Sequence, residues 1–277
     1  MERRLERLSW PALQAAASRP GSTVVWPFGA IEQHGPHLPL GTDALFAEKV
    51  LEAVLEGWAR QGPDEPAWPL WRLPVQAIGF SPEHQGFAGT LSLDAETLIA
   101  MVHAVGRDLA AAGFRRLVLF NGHGGQIALL QVAARQLRAA HPALAVLPCF
   151  LWSGPEGIAD LIPEPERSQG LHAALAETSL MLHLAPSLVG PLPPADGLPS
   201  QAPPTGWSLE GAAPSAWLSR DLSRSGVIGD PGEASGELGQ ELFERLVAGW
   251  RSRFEALLAS DWPPGSPGGD YSPGQHP

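Results

Sequence analysis

Phe114-Arg115-Arg116-Leu117-Val118-Leu119-Phe120-Asn121-Gly122-His123-Gly124-Gly125-Gln126 is the stretch that decides how this chain folds. Residues Phe114–Phe120 read as a strand, and Leu117-Val118-Leu119-Phe120 is apolar without alternation, as strands covered on both faces are. Three glycines then allow a sharp turn that exposes an imidazole, and a helix is expected over Ile127–Ala140. A buried strand feeding a glycine-rich turn and then a helix is the building unit of parallel α/β sheets. Ligands bind such sheets beyond the carboxyl ends of the strands, which is where His123 stands.

The same alternation extends outward from this unit. Strands are expected at Ser22–Phe28, Trp71–Ile78 and Ala143–Phe150. Helices are expected over Ala44–Arg60, Asp94–Ala112, His172–Leu184 and Glu233–Leu258. Asp43 would cap the first of these, and Gly113 would end the second in a left-handed turn. The first dozen residues read as a short amphipathic helix interrupted by Pro11. The fold expected is therefore α/β, a mainly parallel β-sheet flanked by helices on both faces. Residues 1–261 would form one domain, followed by a disordered Pro/Gly-rich tail over 262–277. Ser187–Pro214, rich in Pro, Gly and Ala, is expected at the surface or at an interface.

Composition narrows the function. The 277 residues are 44% hydrophobic and 17% charged, which suits a large packed core. The net charge of −11, with no run of Lys or Arg, argues against nucleic acid as a partner. The one cysteine, Cys149, rules out an intrachain disulfide and fits a reducing cytoplasm. The charged N-terminus lacks the apolar stretch of a signal peptide, and no run is long enough to span a membrane, so a soluble cytoplasmic protein is expected.

Three clusters carry candidate chemistry. The first follows the Ser22–Phe28 strand: Glu32, His34, His37 and Asp43 lie among Gly and Pro residues in Pro27–Asp43. Such a loop can aim nitrogen and oxygen donors at one point, where divalent ions accept them. The second is the Asn121–Gly125 turn, readable either as a metal site through His123 or as an anion-binding turn before a helix. The third is His172-Ala173-Ala174-Leu175-Ala176-Glu177. Residues five apart lie about 140° apart on an ideal helix. Either the helix starts after His172 or the two side chains do different jobs. A buried Glu177 would need a positive partner, and a metal would supply it.

Taken in order, these clusters resemble the creatininase (creatinine amidohydrolase) family: Glu32-x-His34-Gly35-Pro36-His37-Leu38-Pro39-x-Gly41-Thr42-Asp43, Asn121-Gly122-His123-Gly124-Gly125 and His172-Ala173-x-x-x-Glu177-Thr178-Ser179. Gly79-x-Ser81-x-Glu83-His84, Gly89-Thr90-Leu91-Ser92 and Ser225-Gly226-Val227-x-Gly229-Asp230-Pro231 fit it too. The resemblance implies a metal-dependent amidohydrolase that holds two divalent transition-metal ions (Zn, Mn or Fe), usually in a ring-like homo-oligomer, a hexamer. Glu32, Asp43 and His123 would hold one ion, and His34, Asp43 and Glu177 the other, with Asp43 bridging. His172 would touch substrate and move a proton, so that a metal-activated water cleaves a C–N amide bond of a small molecule or a peptide end. Ser81, Gly124 and Gly125 would meet substrate, while His37 and His84 would orient ligands or act as hydrogen-bonded loop residues. Ser81, standing before a proline, is also readable as a plain turn residue, and Glu83 as a solvated charge. Trp152, just past a strand, is a candidate for the pocket wall.

Departures from the family pattern bear on substrate. Members that open creatinine carry an aromatic residue and a glutamate after the His123 position, where this chain has Gly124-Gly125. They also have a Trp-Asp pair at the place of Ser168-Gln169. The Gly-Gly form looks more like branches that deformylate a ribosylaminopyrimidine or trim a peptide in mycofactocin maturation. Ala174-Leu175 stands where many relatives have Gly-Glu, which removes a carboxylate. A non-catalytic small-molecule or anion-binding protein on the same scaffold is the alternative reading.

Overall fold

The computed structural model describes residues 2–59, 68–196 and 203–263. Its centre is a sheet of four strands, β1 (Thr23–Phe28), β2 (Leu70–Arg72), β3 (Arg116–Asn121) and β4 (Ala145–Phe150), in the order β2-β1-β3-β4 with every pairing parallel. Phe28, Asn121 and Phe150 lie in one register row, so the three longer strands end together. Eight helices are described: α1 (Trp10–Ala17), α2 (Thr42–Ala59), α3 (Ala95–Ala112), α4 (Ile127–Ala140), α5 (Glu166–Gln169), α6 (Leu175–Leu184), α7 (Ser219–Leu222) and α8 (Gly236–Ala259).

The strands bury both faces, as their unbroken apolar runs require. Val25, Val118 and Phe120 pack with α2, α6 and α8, while Val24, Trp26, Phe28, Leu117 and Leu119 pack with α1, α3 and α4. The expected α/β fold with helices on both faces is therefore the one observed. Asp94 caps α3 by accepting from Thr97 N at 2.7 Å, and Gly113 ends that helix with φ 101°.

Several boundaries differ from the sequence reading. Pro11 does not interrupt the first helix; it lies in the first turn of α1, where a missing N–H costs nothing. Helix α2 begins at Thr42, so Asp43 sits inside its first turn rather than capping it. The strand expected over Trp71–Ile78 shrinks to β2, because pairing with β1 lapses after Arg72 and resumes only as a bridge from Phe28 to Gln76. Of the tail expected to be disordered, residues 264–277 lie outside the described residues, and Trp262 is held by its carbonyl, which accepts from Arg116 Nε at 2.6 Å. Among the described residues, no helix is long and apolar enough to cross a membrane.

Candidate functional site

The site is assembled beyond the carboxyl ends of β1 and β3, from the first turns of α2 and α6 and the residues just ahead of α6. Past β3, Asn121 locks the turn: its Oδ1 accepts from His123 N at 3.0 Å and from Gln126 Nε2 at 2.8 Å, and its Nδ2 donates to His123 O. Gly122 lets this turn press on the start of α2, since a Cβ there would stand 2.6 Å from Asp43 O. His123 and Asp43 are thereby brought face to face, with His123 Nδ1 3.1 Å from Asp43 Oδ2 and 3.2 Å from Glu32 Oε1. His34 Nε2 lies 3.3 Å from Asp43 Oδ1 on the other side.

Helix α6 starts at Leu175, after His172, which resolves the spacing problem of the third cluster. His172 instead pairs with Ile228 in a short antiparallel bridge, and its Nε2 donates to Gln33 O at 2.7 Å. Ala173 then adopts φ 53°, a left-handed conformation that costs a non-glycine residue about 1–2 kcal/mol. That turn directs Ala173 N to Glu177 Oε2 at 2.6 Å and swings Glu177 toward the imidazoles. The ring of His172 lies between those of His34 and His84, with centroids 4.3 and 4.2 Å away.

All five expected metal-ligating residues and His172 meet here. Glu32, Asp43 and His123 offer atoms within 4.8 Å of one another, and so do His34, His172 and Glu177. Both carboxylate oxygens of Glu32, Asp43 Oδ2 and His34 Nε2 are buried with no hydrogen-bond partner. Their nearest polar neighbours are one another, carboxylate against imidazole at 3.1–3.4 Å, so the buried negative charge calls for ring protons or a bound cation, and the cluster has the chemistry of a cation site. The donor set of carboxylates and imidazoles suits Zn, Mn or Fe.

The electrostatics agree. Burial alone would lower the His34 pKa, but Asp43, then Glu177 and Glu32, outweigh it and lift the imidazole to about 9. His123 rises well above its ordinary value, because Glu32, Asp43 and Glu83 overcome the same burial. Asp43 is held far below the carboxylate range by these two histidines despite its burial. Burial, reinforced by Asp43 and Glu32, raises Glu177 to about 7. His172 moves the other way: burial, then His34 and His84, keep it neutral well below the usual imidazole pKa. The cradle attracts positive charge, and the imidazole beside it stays free of it.

The remaining expected residues fall into supporting places. His84 Nδ1 accepts from Gln33 Nε2 at 2.9 Å and contacts Ser219 Oγ at 2.7 Å, leaving His84 Nε2 3.4 Å from Glu32 Oε1. His37 is buried against Thr178 Oγ1 at 2.9 Å and is lowered to about 4 by burial and by His34. Ser81, expected to meet substrate, is fully buried and turns to His123 Nε2 at 3.3 Å. Gly124 and Gly125 line the cavity, as does Trp152. Gln33, Ser219 and Glu166 were not singled out by their sequence. Gln33 stands inside the first motif, which was its one signal, whereas Ser219 and Glu166 lie in stretches without any pattern. Glu166 accepts from Asp230 N at 2.6 Å and Leu175 N at 3.2 Å, tying the loop ahead of α6 to the 225–231 turn.

Above the cradle opens a cavity of about 850 Å³. Its outer wall is largely apolar, with Phe150, Trp152, Ile158, Ile162, Leu209 and Trp217.

The geometry is matched by what the sequence is similar to. The family model described as creatininase, creatinine amidohydrolase, matches residues 6–254. The chain belongs to the creatininase family. It is 36% identical over 255 residues to a mycofactocin precursor peptide peptidase of Mycobacterium ulcerans (strain Agy99), covering 89% of this chain and 88% of that protein. To the creatinine amidohydrolase of Pseudomonas putida it is 32% identical over 211 residues, covering 71% of this chain and 77% of the relative. The manganese form of creatininase superposes with a TM-score of 0.72 at 27% identity, covering 94% of this chain and 100% of that one. As a member of the creatininase family, the protein is a hydrolase of carbon–nitrogen bonds.

Proposed function

We propose that this creatininase-family hydrolase cleaves an amide at the end of a peptide, or in a small molecule of similar bulk, and does so with two divalent cations. Glu32, Asp43 and His123 would hold one, and His34, Asp43 and Glu177 the other. The observation that carries this reading is the buried, partnerless set of Glu32, Asp43 and His34 atoms at the floor of the cavity. Bound divalent ions at such a site acidify water and polarise an amide carbonyl. A volume of about 850 Å³ exceeds the need of a single small ring and leaves room for several side-chain-sized groups. Together with the peptidase relatives, it favours a peptide end.

The chain's own groups divide the remaining work. With Nε2 engaged by Gln33 O, His172 has Nδ1 left to take up and release a proton, and its depressed pKa keeps that lone pair available at neutral pH. The departing amine needs such a proton to leave. Gly124 gives a bare backbone at the cavity floor for the substrate to approach, and the apolar wall excludes water around it. The reading as an anion-binding protein fits less well, because Glu83 places a carboxylate beside the Asn121–Gly125 turn, 3.3 Å from His123 Nε2.

The decisive experiment combines metal analysis of the purified protein with mass-spectrometric assay of a panel of peptides and small amides. Two bound transition ions and turnover that stops with chelator are expected, together with His172→Ala protein that keeps its ions and loses turnover. Metal-loaded protein inert across the panel, with anion binding that survives chelator, would favour the binding protein instead. A ring-like homo-oligomer, a cytoplasmic location and residues 1–261 as one catalytic domain are parts of the same proposal. Light scattering on the eluting protein tests the first of these.

A further inference from the structure

Gly125 and Glu83 form a matched pair. Gly125 has no positive φ, so its backbone is open to any residue, and its lack of a side chain must have another cause. A Cβ built at 125 would overlap Glu83 Oε1, stand 2.6 Å from Glu83 Cδ and reach 2.7 Å from His123 Nε2. Neighbouring Gly124, by contrast, would meet nothing within 4 Å. The room left by residue 125 is therefore filled by a carboxylate from a distant loop. That carboxylate is mostly buried, its side chain 13% exposed, and it lies 3.3 Å from His123 Nε2.

The short turn Pro82–His84 delivers it. Ser81 N donates to Ser92 Oγ at 2.9 Å, which pins the turn's start, and two successive side chains then diverge. Glu83 goes to the outer nitrogen of His123, and His84 goes to Glu32. At the outer nitrogen of His123, Phe80 O lies 3.0 Å away and Ser81 Oγ 3.3 Å away. Glu83, Phe80 O and Ser81 Oγ hold the proton of Nε2 on the outer side, so it is Nδ1 that faces Glu32 and Asp43 and would bind a cation in place of a ring proton. A carboxylate behind a ligating imidazole fixes its tautomer and raises its basicity.

We infer that Glu83 is a positioning residue for His123, holding Nδ1 toward the cation site, and that glycine at 125 is there to admit it. This deepens the proposed function and rests on its two cation positions.

The test measures Mn and Zn affinity by chelator competition, position by position, with the stability of the metal-free protein followed in parallel. Glu83→Gln keeps the shape but not the charge, and should weaken the position held by His123 by about 10–100-fold while sparing the other. Gly125→Ala should weaken the same position both by displacing Glu83 and by crowding His123 Nε2, so its penalty should be clearly smaller in a Glu83→Ala background, where only the second contact remains. The double variant Glu83→Gly, Gly125→Glu should recover part of the lost affinity by returning a carboxylate from the neighbouring residue. A Glu83→Gln protein that binds both ions like the wild type would overturn the inference. So would a Gly125→Ala penalty of equal size with and without Glu83. Wild-type protein that takes up no ions would instead overturn the proposed function beneath it, so the two failures are told apart.

Discussion

The two ends of the β-sheet bury charge in opposite ways. At the amino end, Arg116 opens β3 and is almost wholly enclosed, 1% exposed. Its donors are taken up by Trp262 O at 2.6 Å, Ser260 O at 2.7 Å and Gly21 O at 3.4 Å. At the carboxyl end of the same sheet, Glu32 and Asp43 are equally enclosed, yet Glu32 lacks hydrogen-bond partners on both oxygens and Asp43 on Oδ2. A buried charge that fastens the fold is saturated by its own chain, whereas one kept for a ligand is left wanting. The largest expected effect breaks this contrast at the unsatisfied end. Asp43→Asn removes the charge shared by both cation positions, and metal analysis should find neither ion and assays no turnover. Retention of both ions would place the cation site elsewhere.

The saturated end should fail differently. Arg116→Met leaves three carbonyls without their donor and is expected to cost about 3 kcal/mol, since charged hydrogen bonds and their buried acceptors are worth that much together. Thermal unfolding should report a melting point lower by several degrees. Metal content and KM of the folded fraction should not change. Lost metal binding in that variant would show that the two ends are coupled through β3.

A third effect sharpens the comparison by pH. His34 has a folded-state pKa near 9 against an ordinary 6.5, so its protonated form stabilises the metal-free protein. That contribution is complete below about pH 6.5 and is lost as pH rises through 9. His123 shifts in the same direction and adds to it. Glu177, raised to about 7, loses its share between pH 4.5 and 7, so little of it is left to change above neutrality. Stability in chelator should therefore fall between pH 7 and 9 by an amount on the order of 2 kcal/mol, seen as a lower melting point. Saturating Mn or Zn should flatten that slope, because a bound cation takes the place of the ring protons. A slope unaltered by metal would mean that His34 and His123 do not face the ion.

What could be read from the sequence followed the same division. The sheet was legible because Leu117–Phe120 and Val24–Trp26 must be covered on both sides, and because Asn121–Gly125 marks a strand end. The cradle was legible because its members lie in short, glycine-punctuated motifs whose residue types suit one ion. Strand β2 was over-read, since Trp71–Ile78 looks strand-like but pairs for three residues only. The cap assigned to Asp43 was off by two positions, since the helix starts at Thr42 rather than Ala44, a difference the helix pattern alone does not resolve. Glu83 read as a solvated charge because its reason for burial lies 42 residues away at Gly125, and no local pattern encodes that space. Ser219 and Trp217 were silent for the same reason: they reach His84 from a segment with no ligand-like spacing.

The smallest effect concerns the outer wall, where contact with substrate rather than charge sets the outcome. Trp217 stands edge-on to His84, with centroids 6.4 Å apart, and its Nε1 donates to Leu209 O at 3.2 Å, so two cavity-lining residues hold each other in place. Trp217→Ala opens the wall without touching a carboxylate or an expected ligand. Losing that apolar contact should raise KM about 10-fold, the equivalent of about 1.4 kcal/mol, while kcat and metal content hold. A fall in kcat at constant KM would instead mean that Trp217 acts through His84 on Glu32. The wall would then belong with the unsatisfied charges below it, and the line between recognition and chemistry would have to be drawn further out, at Trp152 and Ile162.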